Sequence, residues 1–150
     1  MKREILKAYR QAAAIIMVGI WALIFAGCGR QPAAAEDAFT VKIICESQGI
    51  YQIFYSYYVD EAYCGMGGVA DLDGGELTAE SDLTIVFPRT YFEEGQDISR
   101  FSMDFSPYGA EDTSEMATTE RIYIDAEYGS TYTIVFSGDQ NTGFAVELRQ

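Results

Sequence analysis

Histidine is absent from this chain of 150 residues, and its absence excludes several classes of enzyme. Without an imidazole there is no Ser-His-Asp triad, no Cys-His dyad and no histidine ligand for zinc. The sequence also lacks a glycine-rich phosphate loop followed by lysine. Carboxylate pairs of the kind that glycosidases use remain, because the 23 Asp and Glu residues offer many combinations. We therefore expect a protein that is not an enzyme, and a carboxylate-based hydrolase is the alternative that the composition leaves open.

Long apolar runs are also scarce, and the one that stands out covers residues 12–25. It is too short for a free-standing membrane span, which needs about 20 residues, but it fits the roughly 7–15 residues of a signal-peptide core. Four basic residues precede the run: Lys2, Arg3, Lys7 and Arg10. Because such residues stay on the cytoplasmic side, residues 1–27 predict a signal helix that directs the rest of the chain out of the cytoplasm.

The residues that end this segment, Phe25, Ala26, Gly27 and Cys28, resemble the lipobox of bacterial lipoproteins. The resemblance covers residues 1–28 only, and Phe25 stands where lipoboxes favour an aliphatic residue. In that family the cysteine carries a thioether-linked diacylglycerol and becomes the new N-terminus. The resemblance therefore implies lipidation at Cys28 and an extracytoplasmic protein anchored to the bacterial cell membrane. A retained, uncleaved signal anchor is the alternative, and it places the domain on the same side.

The rest of the chain divides into a short linker and one domain. Residues 28–38 contain proline and a run of alanines without a strand pattern, which indicates a spacer after the lipidated cysteine. Residues 39–150 are enough to bury a single hydrophobic core without being split. We therefore expect one compact domain, and we expect it to be a monomer.

Positive charge is rare in the exported part. The first 27 residues hold four basic residues and one acidic residue, so the remainder keeps six of the ten basic and 22 of the 23 acidic residues, a net charge of about −16. Such a surface repels nucleic acid and attracts cations or basic protein patches. We expect no nucleic-acid partner.

Two cysteines, Cys45 and Cys64, remain beyond the lipidation site. In an exported protein such a pair predicts a disulfide, which would close a loop of about twenty residues and contribute roughly 3 kcal/mol. Two free thiols are the alternative. A zinc site is not expected, because a closed zinc centre needs four nitrogen or sulfur ligands.

Alternation of apolar and polar residues dominates residues 39–150 and predicts strands. Seven short runs show it, and they begin near residues 39, 50, 83, 101, 122, 132 and 144, whereas the third run in chain order, near residue 62, shows it only weakly. Seven or eight antiparallel strands at this spacing predict an all-β fold, a single β-sandwich of Ig-like or jelly-roll-like type, with an open or partly closed barrel as the alternative. In the third run Gly65, Gly67 and Gly68 predict a bulge or bend.

An acidic cluster follows the third run and is a candidate Ca²⁺ site. Asp71, Asp73 and Glu76 surround two glycines, and Ca²⁺ binds six to eight oxygen atoms. The twelve-residue EF-hand pattern fails here, because Gly75 and Asp82 stand where the third ligand and the bidentate glutamate belong. A glycine-rich turn with solvated carboxylates, and no cofactor, is the alternative interpretation.

Tyrosine is abundant, and Tyr55, Tyr57 and Tyr58 are close together in the second run. Tyrosine suits both sheet surfaces and recognition surfaces. The only tryptophan, Trp21, lies in the signal segment, so no indole is left to stack on a sugar. The sequence as a whole favours a lipid-anchored β-sandwich that binds a basic protein, a peptide or a glycan. A structural or accessory subunit of a cell-envelope complex is the alternative function.

Overall fold

A computed structural model describes residues 36–109 and 116–149. The signal segment, the lipobox with Cys28 and most of the predicted linker lie outside the described residues. The strands are β1 (Ala38–Cys45), β2 (Gln52–Val59), β3 (Ala62–Ala70), β4 (Leu83–Pro88), β5 (Phe101–Tyr108), β6 (Ile122–Ile124), β7 (Thr131–Asp139) and β8 (Gly143–Arg149). Two short 3₁₀ helices, Arg89–Tyr91 and Ile98–Arg100, lie between β4 and β5.

The strands form two four-stranded sheets around one core, so the predicted all-β sandwich is confirmed. The first sheet has the order β4-β1-β7-β8, and the second has the order β3-β2-β5-β6. All neighbouring strands are antiparallel except β1 and β7, which pair in parallel with Val41 opposite Tyr132. The prediction of purely antiparallel strands was therefore wrong for this one pair. Its partners are far apart in the chain, and no local pattern reports the direction in which such strands meet.

The core lies between the sheets because alternate residues of each strand point inward. At one end of the core the ring of Phe39 stacks on Phe87 at 5.0 Å and meets Phe101 edge to face at 5.0 Å. Tyr57 joins them, 5.1 Å from Phe87. This aromatic cluster draws residues from β1, β2, β4 and β5, so it holds the two sheets together.

The predicted irregularity in β3 is confirmed as a bulge. Tyr57 of β2 pairs with Gly65, whereas Tyr58 pairs with Tyr63, so Cys64 is the extra residue of β3. The tyrosine rings of β2 lie across the glycines of β3: a Cβ atom added at Gly65 would come within 2.7 Å of the Tyr57 hydroxyl. The glycines of β3 therefore leave room for rings that cover its inner side.

No helix within the described residues is long and apolar enough to cross a membrane.

Candidate binding face

The outer surface of the second sheet carries a group of large side chains that lie outside the core, including three of the seven exposed large hydrophobic residues of the described part of the chain. We call this surface the aromatic face, and it comprises Phe54, Tyr58, Tyr63, Met66, Tyr108 and Tyr123. Tyr63, Met66 and Tyr123 are each about 60% exposed, at 59%, 64% and 60%. The outward positions of the first sheet carry no aromatic residue in the described part of the chain. The contrast marks the second sheet as the surface of interest, because a solvated sheet face is ordinarily polar.

Strand β2 lies near the centre of this face because it is flanked by β3 and β5 in the second sheet. Both of its sides carry aromatic residues. Ile53 and Tyr57 point into the core, whereas Phe54 and Tyr58 point outward. Phe54 meets Tyr108 edge to face at 5.1 Å, and Tyr58 meets Tyr63 in the same way at 5.7 Å. Within each pair, the edge-to-face contact fixes the orientation of both rings. The two pairs form aromatic platforms at the two ends of the face.

Between the platforms lies an open depression of about 600 Å³ with a polar floor. Ser56 of β2 is at its centre, with Met66 opposite it on β3 and Asp104 opposite it on β5. The hydroxyl groups of Ser106 and Thr118 are hydrogen-bonded to each other at 2.9 Å along one side. The depression thus combines rings, hydroxyls and one carboxylate, groups that are also found together in ligand sites.

Arg121 shows which charge this face accommodates. Its guanidinium carbon lies 3.6 Å from the centroid of the Tyr58 ring. Its Nη1 donates to Glu61 at 2.6 Å, and its Nε is 3.9 Å from a carboxylate oxygen of Asp104. Tyr123 adds a hydrogen bond from its hydroxyl to Glu61 at 3.2 Å. A ring and two carboxylates therefore hold one cation on the aromatic face.

The turn between β2 and β3 places Glu61 at this site. Asp60 and Glu61 both have positive φ, 53° and 68°, as a two-residue turn of type I′ requires. Aspartate is one of the residues that this turn favours at its first position, so the backbone strain lies at Glu61, where the turn favours glycine. Both carboxylates are bound by arginine: Asp60 accepts from Arg100 Nη1 at 2.7 Å, and Glu61 accepts from Arg121.

Two of the acids proposed as Ca²⁺ ligands, Asp71 and Glu76, have carboxylates that accept backbone hydrogen bonds. Asp71 Oδ1 accepts a hydrogen bond from the backbone N–H of Asp73 at 2.8 Å, and the Asp71 carbonyl accepts from Gly74 at 3.1 Å. A Glu76 carboxylate oxygen accepts from the backbone N–H of Gly49. Across the described ranges, no three Cys, Asp or Glu side chains form a group that could hold a metal ion. These contacts are those of a hydrogen-bonded turn between β3 and β4.

Cys45 and Cys64 are free thiols in the structure, which favours the alternative of two free thiols over the expected disulfide. Cys45 ends β1 with its side chain in the core, and burial raises the pKa of its thiol. Cys64 is the bulge residue of β3, beside Tyr57 and the aromatic cluster around Phe39. Since Cys45 follows Phe39 by six strand residues, about 20 Å, the two thiols lie towards opposite ends of the sandwich. Counting cysteines could not reveal this separation.

Comparison with known proteins gives little further information. No family model matches the chain, and no curated protein is significantly similar to it. One solved structure that is similar to it is the NMR structure of a protein from Eubacterium rectale, with 14% identity and a TM-score of 0.38. The similarity covers 81% of this chain and 96% of that one.

Proposed function

We propose that this protein is a lipid-anchored, extracytoplasmic binding module whose aromatic face binds a basic segment of a partner protein. The observation that carries the proposal is Arg121, which the face already holds between the Tyr58 ring, Glu61 and Asp104. A lysine or arginine of a partner would find the same chemistry in the neighbouring depression, where Tyr108 and Asp104 are present. Each such contact contributes about 0.5–1 kcal/mol at an exposed site, so several together give useful affinity.

The charge distribution supports a basic partner. Residues 43–88, which include β2, β3 and β4, contain eight acidic residues and no lysine or arginine. The four arginines of the described residues each pair with carboxylates of the chain itself, so they leave the acidic excess in place. An acidic field of this kind accelerates the encounter with basic partners and is screened by salt.

The anchor is the second element of the proposal, and it is supported by the lipobox-like residues that end in Cys28. A chain expressed with an alkyne-tagged fatty acid should carry the label, and Cys28→Ala should lose it and retain its leader. Cys45→Ala is the matched control and should keep the label. Labelling that survives Cys28→Ala would exclude lipidation at this residue.

Among sandwich types, we propose the Ig-like form. The consecutive pairs β2 and β3, β5 and β6, and β7 and β8 each lie side by side in one sheet. Neighbouring hairpin strands within a sheet favour an Ig-like sandwich over the paired Greek keys of a jelly roll.

Binding by the aromatic face can be tested with the full-length chain in detergent micelles. The probes are a fluorescent peptide of alternating arginine and glycine, an otherwise identical peptide with glutamate in place of arginine, and a set of labelled oligosaccharides. We expect the arginine peptide to bind, with an affinity that falls when salt is raised from about 0.05 to about 0.5 M. Tyr58→Ser/Tyr108→Ser should lower this affinity about tenfold or more, a loss of about 1.4 kcal/mol.

Tyr91→Ser is the matched control, because Tyr91 is an exposed tyrosine outside the aromatic face. It should leave peptide binding unchanged. If the double variant bound the arginine peptide as well as the wild type does, the aromatic face would not be the site. If oligosaccharides alone bound, the ligand would be a glycan.

A further inference from the structure

Strand β3 is an unprotected edge of the second sheet. Among the described residues it pairs with β2 on one side and with no strand on the other. Its nine residues include no charged residue and no proline, the two features that most often block an edge strand. The bulge at Cys64 and a contact from Gln96 Nε2 to the Cys64 sulfur at 3.9 Å lie at the start of the strand, and among the described residues the backbone of residues 65–70 makes no hydrogen bond outside its pairing with β2. Residues 65–70 are left as an open edge.

We propose that this open edge binds an extended segment of a partner by strand addition, so that the second sheet gains a fifth strand. The inference rests on the proposed function, because it takes the basic partner from there and specifies how that partner binds. Gly65, Gly67 and Gly68 give the edge little side-chain cover, so main-chain hydrogen bonds can form along it. Met66 is 64% exposed and belongs to the aromatic face. An added strand would therefore extend that face, with every second side chain on the same side as Met66.

Charge identifies the occupant as a partner with basic ends and not a second copy of this chain. Asp60 and Glu61 precede β3, where each is paired with one arginine, and Asp71 and Asp73 follow it, where no arginine or lysine of the described residues pairs with them. In an antiparallel pair of two β3 strands, the acidic end of each strand would meet a turn whose arginines are already engaged, so neither copy would supply a free cation. A partner segment with an uncharged centre of about six residues and lysine or arginine at each end would instead place a free cation beside Asp71 and Asp73 in either strand direction.

The test uses the full-length chain in detergent micelles and a designed probe, an eight-residue peptide with lysine at both ends and alternating threonine and valine between them. In an added strand, alternate amides of the peptide face the protein edge and the others face solvent. We therefore compare this peptide with two N-methylated forms, one for each alternate set of amides, and with a form that has glutamate at both ends. Binding is measured by fluorescence anisotropy, and hydrogen–deuterium exchange of the protein is followed by mass spectrometry.

We expect the lysine-ended peptide to bind and to slow exchange in the segment that contains residues 65–70. One N-methylated form should lose at least about tenfold in affinity while the other does not, since only one set of amides pairs with β3. The glutamate-ended form should bind more weakly than the lysine-ended form. Met66→Lys, which places a charge on the edge strand, should weaken binding, and Ala145→Lys, the same change at an exposed residue of the opposite edge strand β8, should have much less effect.

Other results would overturn the inference. Equal binding of both N-methylated forms would show recognition by side chains without strand addition. If Tyr58→Ser/Tyr108→Ser abolished this binding and Met66→Lys did not, the aromatic face would remain the site and strand addition would be wrong. The opposite pattern would support strand addition and remove the aromatic face from the proposed function. Absence of binding would exclude a basic peptide strand. Protection of residues 65–70 from exchange that grows with protein concentration alone would also exclude it and would identify a second copy of the chain as the occupant.

Discussion

Removal of the Phe39 side chain should be among the most damaging single changes to this fold. Phe39 lies on β1, the strand that pairs with both β4 and β7, and it is fully buried. Its ring contacts Phe87 of the same sheet and Phe101 of the facing sheet, each at a centroid distance of 5.0 Å. Phe39→Ala therefore weakens packing within one sheet and between the two sheets at once.

The size of the effect follows from these contacts. Loss of a fully buried apolar side chain costs about 1.5–3 kcal/mol in burial. Each of the two closest ring pairs adds about 0.5–1.5 kcal/mol. The total agrees with the roughly 3–5 kcal/mol found when buried phenylalanines are replaced by alanine, so we expect a loss of about 4 kcal/mol in the free energy of unfolding. For a domain of this length the melting temperature should fall by about 15 °C.

Urea unfolding of a soluble form covering residues 29–150 measures this loss. That form contains no tryptophan, so far-UV circular dichroism and tyrosine fluorescence are the probes. Leu148→Ala is the control, because Leu148 is an apolar residue that is 38% exposed on β8, and it should cost about 1 kcal/mol or less. If Phe39→Ala were no more destabilising than this control, the aromatic cluster would not be the centre of the fold.

Three further predictions concern the thiols, the acidic turn and one carboxylate. Under native conditions iodoacetamide should modify Cys64 first and Cys45 only after unfolding, because Cys45 is buried and its thiol pKa is raised. Equal rates of modification at the two cysteines would contradict the structure, and so would the absence of any adduct before a reductant is added. About 1 mM CaCl₂ should raise the melting temperature no more than NaCl of matched ionic strength, and Asp71→Asn/Asp73→Asn should not change this; a Ca²⁺-specific shift that the double variant loses would instead indicate a site. Backbone hydrogen bonds from Thr142 and Asn141 lower the pKa of Asp139 in the folded state. The ionised carboxylate therefore stabilises the fold above about pH 4, the ordinary pKa of aspartate in the unfolded chain, and this stabilisation is lost as the pH falls through the pKa of the folded state. Asp139→Asn should accordingly be less stable than the wild type at neutral pH and equally stable near pH 2, and a difference that persists in acid would refute the charge-based explanation.

Seven of the eight strands could be predicted from the sequence because each alternates on the scale of a few residues, whereas β3, with its glycines, was predicted only weakly. Phe39, Val41 and Ile43 are separated by single residues, and all three are buried in β1. Glycine content likewise located the bulge in β3. The parallel pairing of β1 with β7 could not be predicted, because it depends on the packing of segments about 90 residues apart and leaves no local pattern. The separation of Cys45 from Cys64 was missed for the same reason.

The aromatic face could be predicted only in part from the sequence. The crowding of Tyr55, Tyr57 and Tyr58 was visible, but β2 has aromatic residues on both sides, and alternation alone does not say which side is buried. The role of Arg121 could not be predicted from the sequence, since this residue precedes β6, a strand of only three residues. Its role depends on tertiary contacts with Tyr58, Glu61 and Asp104 from β2, the following turn and β5.

The turn between β2 and β3 links the stability of the fold to the candidate site. A positive φ costs about 1–2 kcal/mol at Glu61, whereas aspartate is favoured at the position of Asp60, and glycine in place of Glu61 would adopt the same turn with less strain. Glycine in place of Glu61 would, however, remove the carboxylate that holds Arg121 over the Tyr58 ring. An ion pair of such partly exposed groups contributes at most about 1 kcal/mol, which does not fully offset the strain at Glu61. Stability alone therefore does not account for Glu61. Its carboxylate, which holds the cation on the aromatic face, is better explained by the binding that we propose for this side of the sandwich.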